Sequence, residues 1–353
     1  MRVTTLALAA TLLSAQDAEK FTVRSDLVFL PTRVQTNKGD TVYGLRQEQF
    51  IVEDNGVRQA VNVDEDPESS GLSLVVLVQC SRSAEEEMKK LKGLGVMIDA
   101  IAGGAPHEVA IIAYGAEPYI LGDFSPRSVD TQIALTKLRD CSSRFAATID
   151  NVDFAIHMLD RSRRHYRRAI LLISETRDHG SKAKLEEVVA ELGTTDTVIY
   201  SVAFAPMRNA VAEEMRHSMD AYKTAPPKKE APKPPALEDD KPGMVQIERP
   251  PKMNWPPQLV LLVDALKGNA ASEIAALSGG EYLNFTTQKN FDASLQRIAN
   301  QIHNYYLLSF KPTSVGELKQ HTLRVRVPDY PDAVIQTRKS YWAGILESAP
   351  GVR

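Results

Sequence analysis

The residues best able to do chemistry fall in three short stretches, "QCSRS" (79–83), "CSSRFAAT" (141–148) and "SETRDHGS" (174–181). Ser81, Ser83 and Thr148 offer hydroxyl oxygens, Glu175 offers a carboxylate, and Gln79 offers a neutral carbonyl oxygen. Hydroxyls with one or two carboxylates are the donor set of a Mg²⁺-type site, whose ion takes about six oxygens. A set with Glu175 as its single carboxylate is poor in charge, and attraction to a divalent ion suffers in proportion. A second reading needs no ion. The Gln79 amide can both donate and accept, so it can tie the hydroxyls together directly. Ser83 followed by Glu86 also spells a capping box for the next helix. A third reading makes Ser81 or Ser83 a nucleophile, with His179 and Asp178 on a neighbouring loop. No Gly-x-Ser-x-Gly elbow frames either serine, and a nucleophile needs a base within hydrogen-bond reach.

Each stretch has to be held by something rigid. "LSLVVLV" (72–78) is a buried strand whose apolar run, Leu74 to Val78, stops at Gln79, and "RRAILLIS" (167–174) ends at Glu175. "HEVAIIAYG" and "DTVIYSVAF" are further strands of the same kind, and "EPYILGDF" reads as an edge hairpin strand. Between them, "AEEEMKKLKGLGVMIDAIA", "SVDTQIALTKLRD", "ATIDNVDFAIHMLDRS" and "KAKLEEVVAELG" carry helical spacing, with Ser128 or Asp130 as caps and Gly193 as a stop. Near-continuous apolar strands alternating with amphipathic helices predict a Rossmann-like α/β fold. Its doubly wound, mostly parallel sheet is covered by helices on both faces. Ligands of such sheets bind outside the carboxyl ends of the strands, where all three stretches fall.

The pattern also marks boundaries. Residues 1–18 read as an export signal, with Arg2, an apolar run and small residues near Ala15 and Ala18. Residues 22–66 read as a small β domain, and 71–308 as the α/β domain. Residues 309–345 read as a C-terminal antiparallel β extension. Half of the chain's 20 prolines lie in 221–258, a segment too polar to order itself and read as an insertion. The pairs Tyr305–Tyr306 and Tyr341–Trp342 read as sheet packing, one member of each inward and one outward.

Composition excludes several classes. The net charge of -3 and one isolated basic run, "RSRRHYRR" (161–168), do not make a nucleic-acid surface. No stretch reaches the roughly 18 apolar residues of a membrane helix. No histidine pair has zinc-ligand spacing, and "KGLGVMIDA" lacks the Gly-Lys-Ser/Thr end of a phosphate loop.

The order of these motifs over residues 22–345 resembles the von Willebrand factor type A domain, and more narrowly the secreted, largely acidobacterial VWFA-related family. That family's metal-ion-dependent adhesion site uses an Asp-x-Ser-x-Ser motif, a Thr from a second loop and an Asp after the fourth strand. Here the matching positions are Gln79-Cys80-Ser81-Arg82-Ser83, Thr148 and Glu175. "IAALSGGEYLNF", "YYLLSFKPT" and "RKSYWA" resemble its closing segments, with Ser340 where the family has Gly. The resemblance implies a degenerate metal site of Ser81, Ser83, Thr148 and Glu175, with Gln79 replacing the expected Asp. It would hold Mg²⁺, Mn²⁺ or Ca²⁺ weakly, or no cofactor at all. It also places Cys80 and Cys141 on loops of one crevice, where an exported chain can join them as a disulfide. The implied role is non-catalytic binding of a protein partner in the periplasm or outside the cell, with a structural envelope role as the alternative.

Overall fold

The computed structural model describes residues 20–23, 27–63, 71–162, 166–183, 188–189, 191–192, 195–204, 256–312 and 318–347. Residues 1–18, read above as an export signal, Gly193 and nearly all of residues 221–258 lie outside these residues.

A six-stranded sheet forms the centre. It contains β6 (Leu72–Gln79), β7 (His107–Tyr114), β8 (Pro118–Ser125), β9 (Arg167–Glu175), β10 (Val198–Phe204) and β11 (Tyr282–Phe285), in the order β11-β10-β9-β6-β7-β8. Every neighbouring pair is parallel except β7–β8, so the proline-led edge strand alone runs backwards. Alternate side chains of β6 divide between two cores. Val75 and Leu77 join a cluster with α4 (Thr148–Asp160), α5 (Pro257–Gly268) and α6 (Ala270–Ser278). Leu74, Val76 and Val78 join a cluster on the other face with α2 (Leu94–Ala102) and α7 (Gln288–Ile302). A period of 2 sends successive residues to opposite faces, and with both faces covered every position must be apolar.

Two local expectations change. The helix expected across 84–102 is split into α1 (Glu85–Met88) and α2, because Gly93 takes φ +85° and breaks the turn between them. Neither Ser128 nor Asp130 caps α3 (Ser128–Thr136). Arg127 holds the cap position, and Asp130 instead accepts from Ser125 and Arg127. The Gly-Gly stop of α6 is present, with Gly279 at φ +82°.

The segments on either side of the α/β core are strands of shared sheets. A five-stranded sheet runs β1-β15-β13-β3-β4 and a four-stranded sheet runs β14-β2-β12-β5. Their strands are β1 (Lys20–Val23), β2 (Val28–Gln35), β3 (Ile51–Asp54), β4 (Val57–Gln59) and β5 (Val61–Val63) from before the core. From after it come β12 (Tyr306–Phe310), β13 (Lys319–Arg326), β14 (Val334–Gln336) and β15 (Ser340–Glu347). The two ends of the chain thus pair antiparallel into one β lobe, for example β2 with β12 and β3 with β13. Their inward faces share a core of Leu30, Val52, Phe310, Leu323 and Tyr341. Neither end buries enough by itself.

The aromatic pairs correct a third expectation. All four rings are buried. Alternation does send the members of each pair to opposite sides, but both sides are interior. Tyr306 and Tyr341 enter the β-lobe core, while Tyr305 and Trp342 enter the cores of the α/β sheet. Each pair therefore joins the two lobes.

Candidate functional site: the crest above Gln79

The chain runs outward from β6 to β7 and β8, then returns to β9 on the other side of β6. The reversal makes the carboxyl ends of β6 and β9 a topological switch point, the expected ligand position in such a sheet. Gln79 ends one strand and Glu175 ends the other.

There the Glu175 backbone N–H donates to Gln79 Oε1 at 2.8 Å. That bond fixes which end of the amide is oxygen, because a backbone N–H can only donate. The two protons of Gln79 Nε2 are then shared among Ser81 Oγ at 2.7 Å, Ser83 Oγ at 3.0 Å and Glu175 Oε1 at 3.0 Å. Ser81 and Ser83 contact each other at 3.0 Å, and Ser83 donates to Glu175 Oε1 at 3.2 Å. Three of the four expected ligands are brought together. Thr148 is fully buried on the next element, and its hydroxyl meets the Tyr114 hydroxyl at 3.0 Å instead.

This arrangement does not fit a divalent ion. The amide nitrogen sits among the oxygens that a cation would need, and it presents protons to them. Glu175 is the only carboxylate of the set, and burial pushes its carboxyl pKa upward, against the counter-pull of His179 and the Gln79 and Ser83 bonds. A neutral donor does the joining, so Ser81 Oγ, Ser83 Oγ and Glu175 Oε1 are bonded without a cation. The capping box expected at Ser83 is absent. Ser83 lies inside a 3-10 turn (Arg82–Ala84), and α1 starts with Ala84 at its cap position.

The serines also lack a catalytic relay. His179 Nε2 lies 3.9 Å from Glu175 Oε2 and has no hydrogen bond to either serine. Asp178 accepts from the Ile149 N–H and from Ser181, so it caps the start of α4. Asp150 returns the tie by accepting from the Lys182 and Ala183 backbones.

Backbone bonds zip the three crest loops together. The Arg82 N–H donates to Ser143 O, the Cys141 N–H to Cys80 O, and Ala146 and His179 form a two-bond bridge. Cys80 and Cys141 form a disulfide, with their Cα atoms 5.3 Å apart. Cys80 is fully buried and Cys141 partly exposed. The pair forms part of the lining of a cleft with Tyr119, Leu121, Lys137 and Arg139.

A cluster that the sequence did not announce lies on the outer side of α4. Asp153, His157 and Glu191 each bring one potential ligand atom within 4.8 Å of the others, so a divalent ion could be coordinated there. His157 is exposed and the two acids are half-buried. Burial raises the Glu191 carboxyl to about 7, helped by the hydrogen bond and charge of Asp153. The His157 imidazole is raised too, first by the Asp153 carbonyl and then by the surrounding acids. The i, i+4 spacing of Asp153 and His157 was visible in the sequence; Glu191, supplied by a separate helical turn, was not.

No helix among the described residues is long and apolar enough to cross a membrane. No family model and no curated protein matches the chain. Among solved structures, it is similar to a von Willebrand factor type A protein from Catenulispora acidiphila. The identity is 10%, the match covers 93% of this chain and 75% of that one, and the TM-score is 0.39. A conserved hypothetical protein, BatB, from Bacteroides thetaiotaomicron matches at 14% identity over 65% of this chain and all of that one, again with TM-score 0.39. Proximal thread matrix protein 1 from the mussel byssus, solved with a zinc-occupied MIDAS motif, gives 12% identity, 41% and 38% coverage and a TM-score of 0.34. At these scores the likenesses carry no argument, and the α/β architecture rests on the strand order and cores of this chain.

Proposed function

We propose that the chain is a non-catalytic protein-binding module of the VWFA-related, von Willebrand A type, and that its crest works without a cation. The observation that carries this reading is the position of Gln79 Nε2, within 3.0 Å of Ser81 Oγ, Ser83 Oγ and Glu175 Oε1. The amide takes the structural role of an ion, holding the loops in one geometry for a partner to meet. The Cys80–Cys141 disulfide supports an exported protein working in an oxidising compartment. The exposed, zipped loops favour a binding role over a purely structural one, because Arg82 stays in solvent and does not close the crevice.

Calorimetry with Mg²⁺, Mn²⁺ and Ca²⁺ tests it. The expected result is no binding that Glu175→Ala abolishes, and a new site in Gln79→Asp, where a second carboxylate replaces the amide. Heat lost only on His157→Ala belongs to the α4 cluster. Submillimolar binding by the unaltered chain that disappears in Glu175→Ala would overturn the proposal.

A further inference from the structure

Resting on that reading, we propose that the crest recognises an acidic polypeptide segment through Arg82, Arg144 and Arg177, one from each zipped loop. All three are exposed, as is Arg139 at the neighbouring cleft. None of the four guanidinium groups has a hydrogen-bond or ion-pair partner among the described residues.

The reason lies in how the nearby acids are used. Asp178 and Asp150 are committed to backbone N–H groups at the start of α4 and in the 181–183 turn. Asp140 accepts from the Ser142 backbone. Glu175 is buried beneath Gln79. Glu117 is 3.7 Å from Lys182, and on α1 Glu86 pairs with Lys89. Most of the nearby carboxylates thus already have partners, with Glu85 on α1 the exposed exception, while the four guanidinium groups have none. A guanidinium is a planar fork matched to a carboxylate, and an exposed one keeps its donors available.

Backbone bonds tie the three loops that carry these residues. Arg82 is bonded through its backbone to Ser143, the residue before Arg144. Phe145 is 55% exposed, and its ring lies over Gly180, where an added Cβ would meet it at 3.0 Å. The Arg144–Phe145 corner therefore sits against the 177–180 loop, with an apolar ring among the charges. One aromatic and scattered arginines suit an acidic peptide better than nucleic acid, which calls for a basic stripe with stacked aromatics.

The test is fluorescence anisotropy of the full chain at low salt with a labelled poly-glutamate peptide. Poly-lysine and a single-stranded oligonucleotide serve as comparison probes. The expected result is poly-glutamate binding that salt weakens and a chelator leaves unchanged. Arg144→Glu/Arg177→Glu should lower affinity about tenfold, as expected when several exposed pairs turn repulsive. The charge-matched control Arg324→Glu/Lys339→Glu, on the exposed side of the β lobe, should lower it far less. Equal weakening by both variants, no poly-glutamate binding, or equally tight oligonucleotide binding would overturn the assignment. Loss of binding in chelator overturns the cation-free reading instead, and leaves the arginines standing.

Discussion

Gln79 and Glu175 hold each other twice across the mouth of the sheet. The Glu175 N–H donates to Gln79 Oε1 at 2.8 Å, and Gln79 Nε2 donates back to Glu175 Oε1 at 3.0 Å. The pair closes the gap between β6 and β9 at the point where the chain reverses direction, and both side chains are buried. A buried network of this kind is worth most when every member is satisfied.

Gln79→Ala removes the amide's bonds, leaving the Glu175 N–H without a partner and its carboxyl with only the Ser83 hydroxyl. Unsatisfied buried polar groups cost about 1–3 kcal/mol each. The expected loss is about 3 kcal/mol, read from the midpoint of urea unfolding. A loss under about 1 kcal/mol would show that the network is not what holds the strand ends together.

Reduction of the Cys80–Cys141 disulfide opens a loop spanning a sequence separation of 61 residues. Loop closure of that size contributes about 4 kcal/mol in the chain-entropy model, and measured values run about 2–4. Unfolding with and without dithiothreitol, repeated on Cys80→Ser/Cys141→Ser, should agree on a loss in that range. Unchanged stability in both would mean that the loops keep their places through backbone bonds alone.

Stability should depend on pH through Glu191. Its folded carboxyl is raised from 4.5 to about 7, so between these values the folded state holds more proton than the unfolded chain. Stability is therefore fullest below about pH 4.5 and falls as pH rises towards 7. Comparing Glu191→Gln with the parent at pH 5 and pH 8 isolates this contribution: the variant should lose part of the slope. An unaltered slope places the pH dependence elsewhere, for instance at the buried Glu175, which is raised by the same physics.

Trp342 fills the α/β core from a strand of the β lobe. Trp342→Ala should cost about 3–5 kcal/mol through the cavity it leaves. Tyr119→Ala, exposed on the edge strand, should stay within about 0.5 kcal/mol. If the two lobes unfold in separate steps in the Trp342 variant but not in the parent, the ring is what couples them.

The sequence alone determined the alternation of strands and helices, because a strand buried on both faces must be apolar throughout and a covering helix must show its period. It also determined the places of two of the crest stretches, since those at Gln79 and Glu175 begin where an apolar run stops. The tertiary structure decided what pairing over long separations creates. Gln79 and Glu175 stand 96 residues apart, and only their meeting shows that an amide nitrogen occupies the centre of the hydroxyls. Spacing along the chain cannot reveal which of several acids are spent on backbone N–H groups, so it could not show that Arg82, Arg144 and Arg177 are left unneutralised. Nor could it foresee that the two ends of the chain pair into one lobe. Alternation reports which side of a strand a residue faces, while burial depends on what another part of the chain brings to that side.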